Sequence, residues 1–270
     1  MRADVFLFRT GVCASRTAAA QIIKRGNAVI DGKTVKRPSD EICAEDAEWD
    51  DKTLALHRLR VSVPEERFVG RGGYKLEAAL DGFGIDVSGL VCCDIGASTG
   101  GFTDCLLQRG AGTVFAVDVG HGQLAEKLKS DVRVVSVEGF NARELTSGFL
   151  GTKPDIAVCD VSFISQRMIY GAVAKTLREG GYLISLIKPQ FEVGRLHIKN
   201  GIVNDKKLHV SAVAGLCEEA RRNGLAIQAL IRSPIKGGDG NTEYLALFLF
   251  DPSAEEKLTL YDVIDVVYEK

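Results

Sequence analysis

A glycine-rich turn between an apolar strand and a helical segment constrains the fold of this chain more than any other feature. An apolar run at 89–93 leads into Asp94, and Gly96, Gly100 and Gly101 follow before a segment with helical spacing. Glycines let the backbone approach a ligand closely, and the first turn of a helix offers unpaired N–H donors. The order of strand, turn and helix therefore predicts a nucleotide-binding α/β domain.

The next predicted strand, 113–118, ends at Asp118, whose carboxylate could accept both hydroxyls of a ribose. An acid in this position fits NAD as well as S-adenosylmethionine. The loop, however, reads Gly-x-x-x-Gly-Gly and lacks the Gly-x-Gly-x-x-Gly spacing that cradles a pyrophosphate. Two successive strands at 225–232 and 243–250 also predict an antiparallel hairpin at the end of the chain. Both features favour S-adenosylmethionine and a methyltransferase sheet over a dinucleotide fold.

The rest of the pattern alternates between strands and helices. Strands are expected near 90–94, 113–118, 132–137, 155–160 and 182–188, with helices at 101–109, 122–129, 165–178 and 205–223. Alternating units of this kind give a mostly parallel sheet that is covered on both faces. We therefore predict an α/β, Rossmann-like sheet of seven strands with an antiparallel last strand over 71–270, preceded by a linker at 61–70.

Residues 1–60 are predicted to form a separate small α+β domain. The net charge of the chain is −2, yet residues 1–37 hold eight basic and two acidic side chains. Two short helices are followed by a hairpin around Asp31-Gly32. The motifs Ser15-Arg16, Lys24-Arg25-Gly26 and Val29–Gly32 resemble the S4 RNA-binding domain, which implies contact with RNA phosphates. The candidate RNA contacts are Arg9, Arg16, Lys24, Arg25 and, at the start of the second domain, Arg71.

Four charged residues are expected to meet at the carboxyl edge of the sheet, where open α/β sheets bind their ligands. They are Lys75, Asp160, Lys188 and Glu243. Two lysines interleaved with two acids suit methyl transfer to a sugar hydroxyl, which is a very weak acid and must lose a proton as it attacks. Lys188 is the candidate group that accepts or steers this proton. This chemistry requires no metal.

Taken together, the motifs closely resemble the TlyA family of ribosomal RNA 2′-O-methyltransferases. The resemblance rests on 71–76, 94–103, 116–120, 159–165 and 187–192. It implies that Lys75, Asp160, Lys188 and Glu243 correspond to the Lys-Asp-Lys-Glu tetrad of FtsJ-type enzymes, and that cytidine riboses of ribosomal RNA are the substrate. The expected contacts to S-adenosylmethionine are Asp94, Gly96, Ser98, Gly100, Gly101, Phe102, Asp118, Val119 and Asn141. Glu138-Gly139-Phe140-Asn141 departs from the Glu-Arg-Thr-Asn of the family pattern.

Two other functional classes stay open at this point. A membrane-lytic protein is suggested by the older haemolysin name of the family, although no apolar run approaches the roughly 20 residues that cross a bilayer. An RNA-binding module with a degenerate catalytic domain is the other. Seven scattered cysteines without a Cys-x-x-Cys pair indicate free thiols in a reducing cytoplasm. Four histidines without ligand spacing predict no metal site. The expected partners are ribosomal RNA or ribosomal subunits, without a membrane.

Overall fold

The computed structural model describes residues 1–13, 15–24, 26–42, 61–62 and 67–269. The chain divides into two compact units, Met1–Arg67 and Phe68–Lys270. Each unit has its own apolar core. The predicted linker at 61–70 spans the division between the two units.

The N-terminal unit consists of two helices beside a small antiparallel sheet. Its elements are α1 (Ala3–Arg9), α2 (Arg16–Lys24), β1 (Val29–Ile30), β2 (Lys33–Thr34) and β3 (Val61–Ser62), with the strand order β2-β1-β3. Ser15 Oγ accepts the Ala18 N–H at 3.1 Å, so Ser15 caps α2. The third strand was not predicted, because two residues carry no periodic signal. The helix pair and hairpin match the small α+β domain expected from the sequence.

The C-terminal unit is built on a seven-stranded sheet. Its strands are β4 (Val91–Ile95), β5 (Thr113–Asp118), β6 (Val134–Glu138), β7 (Ile156–Cys159), β8 (Gly181–Ile187), β9 (Leu225–Arg232) and β10 (Tyr244–Phe250). The strand order is β6-β5-β4-β7-β8-β10-β9, and β10 runs antiparallel to both of its neighbours. The predicted sheet with an antiparallel last strand is therefore confirmed. This last strand is inserted inside the sheet, which leaves β9 at the edge.

Helices cover both faces of this sheet. They are α3 (Gly72–Phe83), α4 (Gly101–Gln108), α5 (Glu126–Lys129), α6 (Ser147–Leu150), α7 (Tyr170–Thr176), α8 (Pro189–Glu192), α9 (Lys206–Arg222) and α10 (Leu260–Tyr268), with 3₁₀ turns at Ala142–Glu144, Gln166–Met168 and Arg195–His197. One core packs under α3 and α4, and the other under α7, α9 and α10. The adjacent side chains of Cys92 and Cys93 enter opposite cores, as strand alternation requires.

Three helical predictions need correction. The helix expected at 122–129 begins only at Glu126, because the carboxylate of Glu138 accepts the N–H groups of Gly122 and Gln123 and holds that stretch as a loop. The helix expected at 165–178 is a 3₁₀ turn followed by α7. The prediction that two strands close the chain missed α10, which begins with a capping box between Thr259 and Asp262.

Candidate active site

The glycine loop leaves β4 in a conformation that side chains disfavour. Gly96 has φ +85°, and a Cβ added there would lie 2.5 Å from the Asp160 carbonyl oxygen. The N–H groups of Gly96 and Ala97 both donate to the Val117 oxygen, at 2.8 and 3.1 Å. Gly100 has φ +97°, and a Cβ there would overlap Leu128. The glycines therefore let the loop lie flat against its neighbours.

Replacing Gly96 by alanine is expected to weaken binding of S-adenosylmethionine about 10-fold or more. The added methyl group must push the loop away from the end of β7 and also imposes a strained φ, at a cost of about 1–3 kcal/mol. Calorimetric titration with the cofactor measures the change. Gly84→Ala is the matched control, because Gly84 has φ +66° with nothing within 4 Å of the added Cβ. Equal cofactor affinity in the two variants would contradict the packing argument.

A cavity of about 560 Å³ opens beside this loop at the carboxyl edge of the sheet. Among its wall residues are Gly96, Ser98, Asp118, Val119, Asn141 and Phe163. The Asp118 carboxylate accepts the Ser98 N–H through Oδ2 and the Gly120 N–H through Oδ1, both at 2.7 Å. A volume of this size matches the pockets that hold small cofactors. Asp118 therefore joins the two loops that form one wall of the cavity.

The other predicted cofactor residues do not line this cavity. Gly101 and Phe102 line an adjoining cavity of about 190 Å³ on the other side of the loop. Gly100 and Asp94 line neither of these two cavities. Gly139, where the chain departs from the family pattern, has φ +71°, and the His121 ring fills the space that a side chain there would take.

Asp94 is fully buried beneath the loop. Its Oδ2 accepts the hydroxyl of Thr103 at 2.7 Å, and its Oδ1 has no hydrogen-bond partner within the structure. Burial raises the pKa of Asp94 to about 7, the Thr103 hydrogen bond opposes the rise, and the negative charge of Asp160 adds to it. A buried carboxylate with an unused oxygen is unusual in a folded protein.

Asp94→Asn is expected to change how stability depends on pH. Between pH 3.8 and about 7 the folded protein holds the Asp94 proton while the unfolded chain releases it. The free energy of unfolding contributed by Asp94 therefore falls as pH rises through this window, by up to about 1.4 kcal/mol per pH unit. The variant lacks this loss. The free energy of unfolding of the variant minus that of the wild type should therefore increase from pH 4 to 7 and then level off. Urea unfolding at several pH values tests this, and parallel curves would contradict it.

The four charged residues form two ion pairs. Lys75 Nζ lies 2.5 Å from Glu243 Oε2, and both side chains are buried. Lys188 Nζ lies 2.5 Å from Asp160 Oδ1. It also donates a hydrogen bond to Ser162 Oγ at 2.8 Å. The Lys188 side chain is 11% exposed, and that of Asp160 is 21% exposed. The second pair is thus the one that a substrate can reach.

Strand pairing brings the two ion pairs together. Asp160 follows Cys159 at the end of β7, and Lys188 follows Ile187 at the end of β8. Glu243 precedes Tyr244, which is the register partner of Ile187 in the antiparallel β8–β10 pair. Asp160 and Lys188 line the 190 Å³ cavity, while Lys188 and Glu243 line a third cavity of about 280 Å³. The Asp160–Lys188 pair therefore touches all three cavities, whereas Lys75 lines none of them.

Phe163 was not among the predicted site residues. It has φ +65°, is 92% exposed, and lines both the 560 Å³ and the 280 Å³ cavities. Its ring lies 5.2 Å from that of Phe191. An exposed aromatic residue in a left-handed conformation is costly and points to a functional surface. Its place just after a strand-end acid was the signal that could have identified it.

The predicted RNA contacts lie in both units. In the N-terminal unit Arg9, Arg16 and Lys24 are exposed, and Arg16 also donates to the buried Asp4 at 3.2 Å. Arg25 lies outside the described residues. In the C-terminal unit Arg71 lines the 190 Å³ cavity and donates to the Lys236 carbonyl.

Two further observations concern metals and membranes. Within the part of the chain that the structure describes, no cluster of three or more His, Cys, Asp or Glu side chains could hold a metal ion. Across the same residues, no helix has the length and apolar character needed to span a bilayer.

Comparisons with known proteins agree with this architecture. Residues 68–250 match the FtsJ-like methyltransferase family, and residues 1–47 match the S4 domain. The 16S/23S rRNA (cytidine-2′-O)-methyltransferase TlyA of Mycobacterium tuberculosis is 40% identical over 90% of this chain and 87% of its own. Hemolysin A of Brachyspira hyodysenteriae is 40% identical over 92% of this chain and 100% of its own.

A solved structure gives the same result for the fold. A protein from Streptococcus thermophilus described as a hemolysin superposes with a TM-score of 0.77 at 38% identity, over 99% of this chain and 94% of its own. The family match covers well over half of the sequence, and the sheet has the strand order of a methyltransferase. The chain therefore belongs to the FtsJ-like methyltransferase family, among the TlyA members that carry an S4 domain ahead of the catalytic fold.

Proposed function

We propose that this protein methylates the 2′-hydroxyl of a ribose, at cytidine, in ribosomal RNA and uses S-adenosylmethionine as the methyl donor. The observation that carries the proposal is the pair of lysine–carboxylate contacts beside the glycine-loop cavity. The TlyA relative, which is named for methylation of cytidine in 16S and 23S rRNA, supports the choice of substrate. The S4 match of the N-terminal residues supports an RNA partner.

The residues around the 560 Å³ cavity fit S-adenosylmethionine. Gly96 and Ser98 offer a wall without bulky side chains, and Asp118 has a carboxylate at the rim that can accept ribose hydroxyls. Asp94, which lines neither cavity, is kept as a proposed cofactor residue on the strength of its unpaired buried oxygen. Asn141 and Phe140 line the same cavity and suit an adenine. The predicted loop residues Gly100, Gly101, Phe102 and Val119 complete the proposed cofactor set.

Lys188 is the proposed group for proton transfer. When bound, S-adenosylmethionine supplies a methyl group on a sulfonium, so its leaving group needs no protonation. The ribose hydroxyl must lose its proton, and an ammonium group cannot accept it. Lys188, which Asp160 and Ser162 hold between the cavities, must therefore first release its own proton to solvent and act as a neutral amine. The Lys75–Glu243 pair is buried and holds the start of β10 against α3. Acid–base assistance of this kind contributes about 10²- to 10⁴-fold, and positioning must supply the rest.

RNA would approach through basic groups and exposed aromatic surface. Arg71 lies at the cleft, and the rings of Phe163 and Phe191 form part of the wall of the 280 Å³ cavity beside Lys188 and Glu243. A base taken out of its stack gains stacking energy on such a surface. In the N-terminal unit, Arg9, Arg16, Lys24 and Arg25 are the proposed phosphate contacts. We propose an RNA-binding domain over 1–60 to which β3 adds residues 61–62, a linker over the rest of 61–70, and a catalytic domain at 71–270.

The direct test is methyl transfer from radiolabelled S-adenosylmethionine to ribosomal RNA and to isolated subunits. Nuclease digestion and mass spectrometry then locate 2′-O-methylcytidine in the product. Unmodified transcripts and both subunits from cells without the gene serve as substrates. Incorporation into a base rather than a ribose, or no incorporation into any ribosomal substrate, would overturn the proposal. Leakage of lipid vesicles caused by the pure protein, without methyl transfer, would instead favour the membrane-lytic alternative.

A further inference from the structure

Glu192 is a buried carboxylate beside the site for which the proposed chemistry has no role. It is the last residue of α8, the helix that begins directly after Lys188, and its side chain is 2% exposed. Ser165 Oγ donates to its Oε2 at 2.6 Å, and the Gln166 N–H donates to its Oε1 at 2.9 Å. Both carboxylate oxygens therefore hold a segment that is distant in sequence.

That segment is the end of the loop at 161–165, which forms a wall of the cleft. Residues 161–164 line the 560 Å³ cavity. The start of the loop is fixed as well, because the Asp160 N–H donates to the Ile95 oxygen at 2.9 Å and its carboxylate contacts Lys188. The loop is thus held at both ends, by Asp160 at its start and by Glu192 at its end.

The conformation of this loop needs such restraint. Phe163 adopts φ +65° although it is not a glycine, and its ring is 92% exposed. Strained backbone persists only where the surrounding structure determines it. Ser162, the preceding residue, accepts the hydrogen bond from Lys188 Nζ at 2.8 Å. The position of the loop therefore also sets the position of the Lys188 ammonium group.

We propose that Glu192 is a positioning residue for methyl transfer, which fixes the loop at 161–165 so that Ser162 orients Lys188 and Phe163 faces the cleft. Its effect on turnover rests on the proposed function, whereas its effect on the loop does not. The carboxylate is suited to this task because it can accept both donors at once. An amide in its place can still accept the Gln166 N–H, but its NH₂ group then faces the Ser165 hydroxyl, which must rotate and accept, so the charge-assisted hydrogen bond from Ser165 is lost.

Burial and hydrogen bonding act on the Glu192 carboxyl in opposite directions. Burial raises the pKa of Glu192, and the hydrogen bonds from Ser165 and Gln166 together with the charge of Arg167 oppose the rise. The Arg167 guanidinium lies 4.0 Å from Oε2. Glutamine at 192 therefore removes one acceptor and the charge while it preserves the volume of the side chain.

Glu192→Gln is expected to loosen the loop and slow turnover. Replacing the charged acceptor by a neutral amide weakens both buried hydrogen bonds, which should speed amide exchange of the peptide 161–168 by about 10-fold and lower kcat by about 10-fold or more. The KM for RNA should rise by less than kcat falls, because the phosphate contacts are unchanged and only the stacking contact of Phe163 is loosened. Hydrogen exchange measured by mass spectrometry and steady-state methylation of ribosomal RNA give the two readouts.

A double-mutant cycle with Ser165→Ala tests whether Glu192 acts through the loop. If it does, the kcat of the double variant should fall little below that of the slower single variant. Asp155→Asn is the matched control, because Asp155 also accepts a backbone N–H, from Val91 at 2.9 Å, and pairs with Arg178, but at the amino end of β7. The control should lower the melting temperature and leave kcat unchanged.

The outcomes separate this proposal from the proposed function. Normal exchange of 161–168 in Glu192→Gln overturns the positioning role, and so does faster exchange with unchanged kcat. Fully multiplicative effects of Glu192→Gln and Ser165→Ala on kcat overturn it as well. If the wild-type protein transfers no methyl group to ribosomal RNA, the proposed function fails, while faster exchange in the variant still supports the loop contact.

Discussion

Lys188→Met should lower the kcat of methyl transfer by about 10²- to 10⁴-fold, because it removes the group proposed to take up the ribose proton. Methionine matches the length of the lysine side chain and keeps most of its packing. The KM for RNA and the affinity for S-adenosylmethionine should each change by less than about 3-fold if Lys188 acts mainly in the transition state. Single-turnover methylation with enzyme in excess measures the chemical step directly.

Lys175→Met is the control for loss of a lysine, because Lys175 is exposed on α7 away from the cavities. It should retain the wild-type kcat. Wild-type turnover in Lys188→Met would remove this residue from the mechanism. A decrease in cofactor affinity as large as the decrease in kcat would assign Lys188 to cofactor binding instead.

Lys75→Met should lower the free energy of unfolding by about 3–5 kcal/mol. The substitution leaves the carboxylate of Glu243, which is 2% exposed, buried without its partner. A loss of this size is a large fraction of the stability of an ordinary domain. Urea or thermal unfolding of the purified variant measures it.

The double variant Lys75→Met/Glu243→Leu tests whether the loss of stability comes from an unpaired buried charge or from altered packing. Replacing both members of a buried ion pair by apolar residues is often neutral for stability, so most of the loss should be recovered. Methyl transfer should stay low, since Glu243 lines the cavity next to Lys188. Recovery of both stability and turnover would show that the pair has no part in the site. No recovery of stability would show that the packing around Lys75, rather than charge, causes the loss.

The sheet and the glycine loop were predictable because their signals are local. Each strand of the sheet is an apolar run, and the loop glycines stand at positions where the structure leaves no room for a Cβ, as at Gly96. Acids and lysines directly after strand ends could be assigned to the carboxyl edge without knowledge of contacts. Asp118, Asp160 and Lys188 are found there.

The pairing of these charges was not predictable in the same way. Which lysine contacts which acid depends on β10 lying beside β8, and strand order is a property of the whole fold. Phe163 and α8 were missed because single residues and four-residue helices have no periodicity. The helix expected at 122–129 was too long because its first turn is held by Glu138, a contact between distant segments.

The insertion of the last strand between β8 and β9 has a consequence for biosynthesis. A nascent polypeptide that has not yet released residues 243–250 from the ribosomal tunnel lacks both the partner of Lys75 and the strand that covers β8. The residues that line the 560 Å³ cavity beside Gly96 are synthesised much earlier, so this cavity can form first. Competence for catalysis is therefore expected only after residues 243–250 have emerged and paired with β8.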